Sequence, residues 1–122
     1  MTKPNSAIIL SLLLTVVLAS AFSIHTVKSE DGITITADGS IDPPNSPILR
    51  VGDVYTFTDN ISDEIVVERS NIIVDGNGYT LQGLKSGNGF YLDGISNVTI
   101  RKTTIQNFTS GIFLQGSFDN TI

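Results

Sequence analysis

The sequence repeats itself at a fixed interval. Gly89-Phe90-Tyr91-Leu92-Asp93-Gly94 returns further along as Gly111-Ile112-Phe113-Leu114-Gln115-Gly116, an offset of 22, and Thr99-Ile100 returns as Thr121-Ile122 at the same offset. A β-rich unit of this length cannot bury its own apolar side, so the period predicts that successive turns of chain stack and cover one another. Such a unit holds about three short strands with their corners, at ~3.3 Å per strand residue. The expected fold is all-β: a right-handed parallel β-helix, a solenoid of about three coils of ~22 residues with ~4.8 Å between paired strands. Frequent turns between short strands also suit a β-sandwich, and the repeat is what separates the two.

The strand signals fit that reading. Val54-Tyr55-Thr56-Phe57-Thr58 alternates, and β-branched or aromatic triplets follow at residues 65–67, 72–74, 79–81, 90–92, 98–100 and 112–114. Turn formers lie between them, in Asp75-Gly76-Asn77-Gly78, Ser86-Gly87-Asn88-Gly89 and Asp93-Gly94. Val74 to Ile100 is an offset of 26 where Ile100 to Ile122 is 22, and the excess is assigned to the loop at residues 84–88. If Phe90 and Leu92 point inward, Ile112 and Leu114 stack on them and Ile122 stacks on Ile100. The same register puts Asn120 at the inward position of Val98, where it needs a hydrogen-bond partner.

Three divisions are expected. Residues 1–29 read as a secretory signal peptide helix: Lys3 precedes an apolar run at residues 7–22, broken only by Ser11, Thr15 and Ser20, and Ala19-Ser20-Ala21 has the form a signal peptidase cuts. Cleavage after Ala21 or nearer Ser29 is expected, with retention as an uncleaved anchor the alternative; the run falls short of the ~20 residues that span a bilayer core. Residues 30–53 read as a polar, Pro-containing lead-in, with Asp42-Pro43-Pro44-Asn45-Ser46-Pro47 at its centre. Residues 54–122 hold the coils, and the strand ending at Ile122 reads as a C-terminal truncation that leaves an open coil for self-association.

Composition narrows the partners. All 12 acidic residues lie from Glu30 onward, against five basic ones there, so a chain starting at Glu30 carries a net charge of −7. That sign opposes a phosphate backbone, and no nucleic-acid partner is expected. Contact with a membrane is expected only through the leader. Without cysteine the chain has no disulfide framework and no thiolate metal site.

The phrase Asn71-Ile72-Ile73-Val74-Asp75-Gly76-Asn77-Gly78-Tyr79-Thr80-Leu81, then Ser96-Asn97-Val98-Thr99-Ile100, Ile105-Gln106-Asn107-Phe108 and Gly111-Ile112-Phe113-Leu114, resembles the right-handed parallel β-helix family of NosD and the CASH domain of carbohydrate-binding proteins and sugar hydrolases, the pectin-lyase-like fold. The resemblance covers about residues 48–122. It implies an exported protein, of a kind common on archaeal surfaces, and a fold that hosts lyases, hydrolases, adhesins and accessory proteins. The copper handling of NosD does not transfer: copper takes Cys, Met and His, whereas here Cys is absent, the one Met is Met1, and His25 lies in or beside the leader. No metal site and no cofactor are expected.

Three constellations could carry chemistry. A calcium-assisted lyase site would draw on Asp75, Asp93, Arg101 and Lys102, although Asp-Gly pairs are also ordinary turn chemistry and Arg101-Lys102 an ordinary solvated corner. A glycosidase pair could come from Asp93 and Asp119, whose separation no sequence pattern specifies. The third is a binding site: Tyr91 and Phe113 face outward one coil apart, flanked by Asp93 and Gln115, and an aromatic platform edged by hydrogen-bonding groups suits a sugar ring. Paired aromatics also stabilise adjoining strands without any ligand. Asn60, Asn97 and Asn107 head N-glycosylation sequons, with Asn60 and Asn107 ahead of Asn97, whose turn leaves less room for a glycan.

The expected function is therefore an exported cell-surface module with a binding or structural role towards polysaccharide or a cell-envelope component. The alternative is the N-terminal part of a polysaccharide lyase or glycoside hydrolase whose site lies on further coils. A NosD-type copper accessory stands behind both. No catalytic residue is assigned within these residues, which read as a binding or structural module rather than an enzyme.

Overall fold

The computed structural model describes residues 32–122. The leader expected at residues 1–29 lies outside these residues, as do Glu30 and Asp31. The described chain is all-β, with eleven strands in order: β1 (Ile33–Ile35), β2 (Ile41–Asp42), β3 (Ile48–Val51), β4 (Val54–Phe57), β5 (Ile65–Val67), β6 (Ile72–Asp75), β7 (Thr80–Gln82), β8 (Asn88–Asp93), β9 (Val98–Arg101), β10 (Thr104–Gln106) and β11 (Ser110–Gln115).

The strands form three sheets that the chain visits repeatedly in the same order. In the first sheet β1, β5, β8 and β11 lie parallel, with β2 antiparallel on the outer side of β1. In the second, β4, β6 and β9 lie parallel, with β3 antiparallel against β4. The third pairs β7 with β10 in parallel, and Ile61 bridges to Leu81 beside it. Parallel strands cannot be joined by a tight turn, so the chain between two neighbours of one sheet must travel elsewhere. Here it builds the other sheets on the way, an arrangement compatible with a β-rich solenoid.

Alternation along each strand decides what is buried. Tyr55 and Phe57, Ile65 and Val67, Ile72 and Val74, Phe90 and Leu92, and Val98 and Ile100 all turn inward, and Leu81 joins them from the third sheet. Phe57 and Phe90 stack with ring centroids 6.5 Å apart. Each such side chain contributes about 1.5–3 kcal/mol on burial, and no disulfide supplements them in a chain without cysteine.

The predicted register holds where the repeat is strongest. Phe90 pairs with Ile112, Tyr91 with Phe113, Leu92 with Leu114 and Asp93 with Gln115, all at the offset of the repeat. Thr99 bridges to Thr121, which sets Ile122 alongside Ile100. Asn120 takes its expected place: its Oδ1 accepts from the Val98 amide at 2.9 Å, while its buried Nδ2 finds no partner.

Two features differ from expectation. The excess length of the longer repeat interval is not all in the 84–88 loop. Asp75 pairs with Arg101 at an offset of 26, Thr80 with Thr104 at 24, and Asn88 with Ser110 at 22. Half of the excess is therefore absorbed at the Gly76–Gly78 corner, where Asn77 and Gly78 both have positive φ, and half in the loop between β7 and β8. The segment at residues 30–53 is also more than an irregular lead-in. It contributes β1 to the first sheet and lays β2 and β3 antiparallel across the N-terminal edges of two sheets. Ile33-Thr34-Ile35 alternates like the later triplets, with Ile33 and Ile35 buried, but it has no counterpart at the repeat interval, and in β3 Leu49 and Val51 remain exposed, so that strand lacks the pattern of a core strand.

Candidate functional site

The outward residues of the first sheet are placed by the same alternation. With Phe90 and Leu92 buried, Tyr91 and Asp93 must point away from the core, and the register carries Phe113 and Gln115 to the neighbouring positions of β11. Val66 and Thr34 continue the central row through β5 and β1. The result is a row of Thr34, Val66, Tyr91 and Phe113 crossing the strands, with Asp93 and Gln115 beside its aromatic end.

Tyr91 and Phe113 stack with centroids 5.4 Å apart and planes 4° from parallel. At that separation two coplanar rings lying side by side would collide at their edges, so the pair is offset-stacked, ring face against ring face. The rings therefore stand as a ridge with edges outward rather than as a flat platform. Phe113 is 39% exposed, and the face it turns away from Tyr91 has no strand against it among the described residues, since β11 is the edge of its sheet. The Tyr91 hydroxyl reaches Gln115 Oε1 only at 3.5 Å, so neither group is consumed by the other. The structure thus brings all four predicted binding residues, Tyr91, Asp93, Phe113 and Gln115, onto one face.

The lyase candidates are not brought together in this way. Asp75 is largely buried at the end of β6, where its Oδ1 accepts from the Asn77 amide at 2.8 Å and its Oδ2 from Arg101 Nε at 2.9 Å. The Asn77 amide, followed by the Arg101 guanidinium, holds its carboxyl below the ordinary value, against the opposing effect of burial. These are the partners of a turn carboxylate. Asp93 stands on a different sheet, and Lys102 occupies the corner after β9 with φ 55°. Asp119, the other half of the glycosidase pair, sits at a corner with φ 55° just after the Ser96–Phe118 bridge. Among the described residues no three His, Cys, Asp or Glu side chains group as a metal site, and no helix is long and apolar enough to cross a membrane.

The sequon asparagines all lie at corners. Asn60 is exposed and its Oδ1 accepts from the Thr80 amide at 2.9 Å. Asn107 is exposed with φ 62°, and Asn97, with φ 55°, gives its Nδ2 to Asn71 Oδ1 at 3.0 Å.

One constellation escaped sequence reasoning. Arg50 and Arg69 converge on Gly39: a Cβ there would lie within 2.6 Å of Arg50 Nη1 and Nη2, and closer still to Arg69 Nη1. Arg50 also lies over the Tyr55 ring, 5.7 Å from its centroid. Arg69 bonds both the Tyr55 hydroxyl and Asp53 Oδ1, at 3.1 and 3.0 Å. The hydroxyl bond holds the Arg69 guanidinium above its ordinary pKa. Asp38, in the turn before Gly39, is lowered to about 2, first by the Thr36 hydroxyl and then by Ser40. The charges balance, and the cluster ties the turn between β1 and β2 to β3, β4 and the segment after β5. No local motif signals it, because its members come from four separate segments.

Compared with known proteins, the chain matches no family model, no curated protein and no solved structure.

Proposed function

We propose that this chain is an exported, cell-surface right-handed parallel β-helix module, related to the NosD and CASH-domain proteins, that binds polysaccharide or another cell-envelope component through the outer face of its first sheet. The observation that carries the binding reading is the ridge of Tyr91 and Phe113 with Asp93 and Gln115 alongside. A sugar's C–H face packs on the open face of Phe113 and along the ring edges, while its hydroxyls reach Asp93, Gln115 and the Tyr91 hydroxyl. The cyclic return to three parallel sheets supports the β-helix, and the apolar run at residues 7–22 supports export.

Retention of the protein on insoluble polysaccharide tests this. Tyr91→Ala and Phe113→Ala should each abolish retention while urea melts show a folded chain. Retention equal to the parent in both variants would remove the ridge from the binding site. Mapping glycans on secreted protein tests the envelope setting, with occupancy expected at Asn60 and Asn107 ahead of Asn97.

A second reading, association through the last coil, draws on β11 as an edge strand and on Leu114, Phe118 and Ile122, which are 43%, 64% and 69% exposed. Sedimentation of residues 30–122 should show concentration-dependent oligomers, and a monomer at all concentrations would exclude it. A lyase or hydrolase completed by further coils is the remaining alternative.

A further inference from the structure

The first sheet has a one-sided charge. Its strands β1, β2, β5, β8 and β11 contain no Lys, Arg or His, and the five basic residues of the described chain lie elsewhere: Arg50 in β3, Arg69 after β5 and turned to Tyr55, Lys85 in the β7–β8 loop, and Arg101 and Lys102 at the end of β9. Carboxylates, by contrast, gather along the aromatic row. Val67 pairs with Leu92, and the residues that follow this pair, Glu68 just beyond the end of β5 and Asp93 at the end of β8, point outward. The Glu68 amide still bonds to the Ile35 carbonyl at 2.9 Å, so the ladder reaches that far. Both side chains are exposed. Glu64, at the other end of β5, accepts from Asn88 Nδ2 at 3.2 Å.

Like charges on adjoining strands weaken a sheet. A row of carboxylates next to an aromatic ridge has a use in recognition, because the carboxylates and the Gln115 oxygen accept from hydroxyl groups, the carboxylates in charge-assisted bonds. Asp93, one strand across from Phe113 and two residues along, repels a ligand carboxylate or sulfate seated on that ring from about 8 Å by strand spacing, within the ~10 Å over which charges interact at 0.1 M salt, and Glu68 adds to the same field from the next strand.

Resting on the ridge reading above, we infer that the ligand of this face is an uncharged saccharide chain, and that Glu68 and Asp93 are specificity determinants that exclude uronate and sulfated polymers.

The test is retention of the full chain on two neutral polymers, cellulose and mannan, and two uronate polymers, polygalacturonate and alginate, at about 0.01 M and about 0.15 M salt. Retention on at least one neutral polymer is expected, nearly independent of salt, with none on the uronates at the lower salt. Glu68→Gln combined with Asp93→Asn should raise retention on the uronates at least threefold at the lower salt, and should lower retention on the neutral polymers, to whose hydroxyls Asp93 is a binding group. Two results overturn the inference and leave the ridge reading in place: parent retention on uronates equal to that on neutral polymers, or a double variant that gains nothing on uronates. Absence of retention on all four polymers overturns both readings.

Discussion

Tyr55 donates its hydroxyl proton to the carbonyl oxygen of Gly39 at 2.6 Å, between segments well separated in sequence. Its ring is fully buried in the core, while the hydroxyl also accepts from Arg69 Nη1. One side chain thus fills part of the core and holds the turn between β1 and β2 in place. Tyr55→Phe keeps the ring and removes both bonds, leaving the Gly39 carbonyl without a partner. A loss of about 1–2 kcal/mol is expected, read as a lower urea midpoint at unchanged slope. An unchanged midpoint would mean that the bond contributes nothing net.

Asp75 makes stability depend on pH. The Asn77 amide and the Arg101 guanidinium hold its folded pKa below the ordinary 3.8, so the unfolded chain takes up the proton first. Its contribution is then complete above about pH 5 and declines as pH falls through 3.8 towards the lower folded value. Asp38, lowered to about 2, acts with the same sign from a fully exposed position. Urea melts at pH 7, 4 and 3 should show a decline confined to the acid side, and Asp75→Asn should flatten it. A decline of the same size in that variant would assign it to other carboxyls.

The corner asparagines separate backbone strain from side-chain bonding. Asn97 has φ 55° and bonds Asn71 Oδ1. Both Asn97→Gly and Asn97→Ala lose that bond, but only alanine meets the left-handed penalty. Asn97→Ala should therefore be the less stable of the two by about 1 kcal/mol. Equal stabilities would indicate that the corner relaxes to another conformation.

Gly83 and Gly111 make a steric contrast. A Cβ on Gly83 would strike the Phe108 ring and the Asn107 carbonyl oxygen, whereas one on Gly111 would only reach Ile105 Cγ2 at 3.4 Å. Gly83→Ala should cost about 1–3 kcal/mol, and Gly111→Ala should stay within about 0.5 kcal/mol of the parent. Comparable losses in both would show that residues 83 and 107 can move apart without penalty.

Part of this molecule was legible in advance because a repeat states its own register. Once Phe90 aligned with Ile112 and Thr99 with Thr121, period-2 alternation placed Phe90 and Leu92 in the core and Tyr91, Asp93, Phe113 and Gln115 outward without reference to any contact, whereas Leu114 and Ile122, expected to stack inward as well, are exposed because no further strand among the described residues covers them. The N-terminal strands were not legible on that ground. Ile33–Ile35 has no counterpart at the repeat interval, and its place beside Ile65–Val67 depends on pairing with a strand much further along the chain.

The sequence by itself determined an all-β chain, its parallel register and which side chains share a face, because identical offsets bring identical residues onto one ladder. Only the tertiary structure decided how those side chains meet. The Tyr91 and Phe113 rings stack face to face instead of spreading flat, because strands one pairing step apart hold them too close to lie side by side. The Arg50, Tyr55, Arg69 and Gly39 cluster, and the division of the excess length between two corners, arise likewise from contacts between distant segments, which no local pattern encodes.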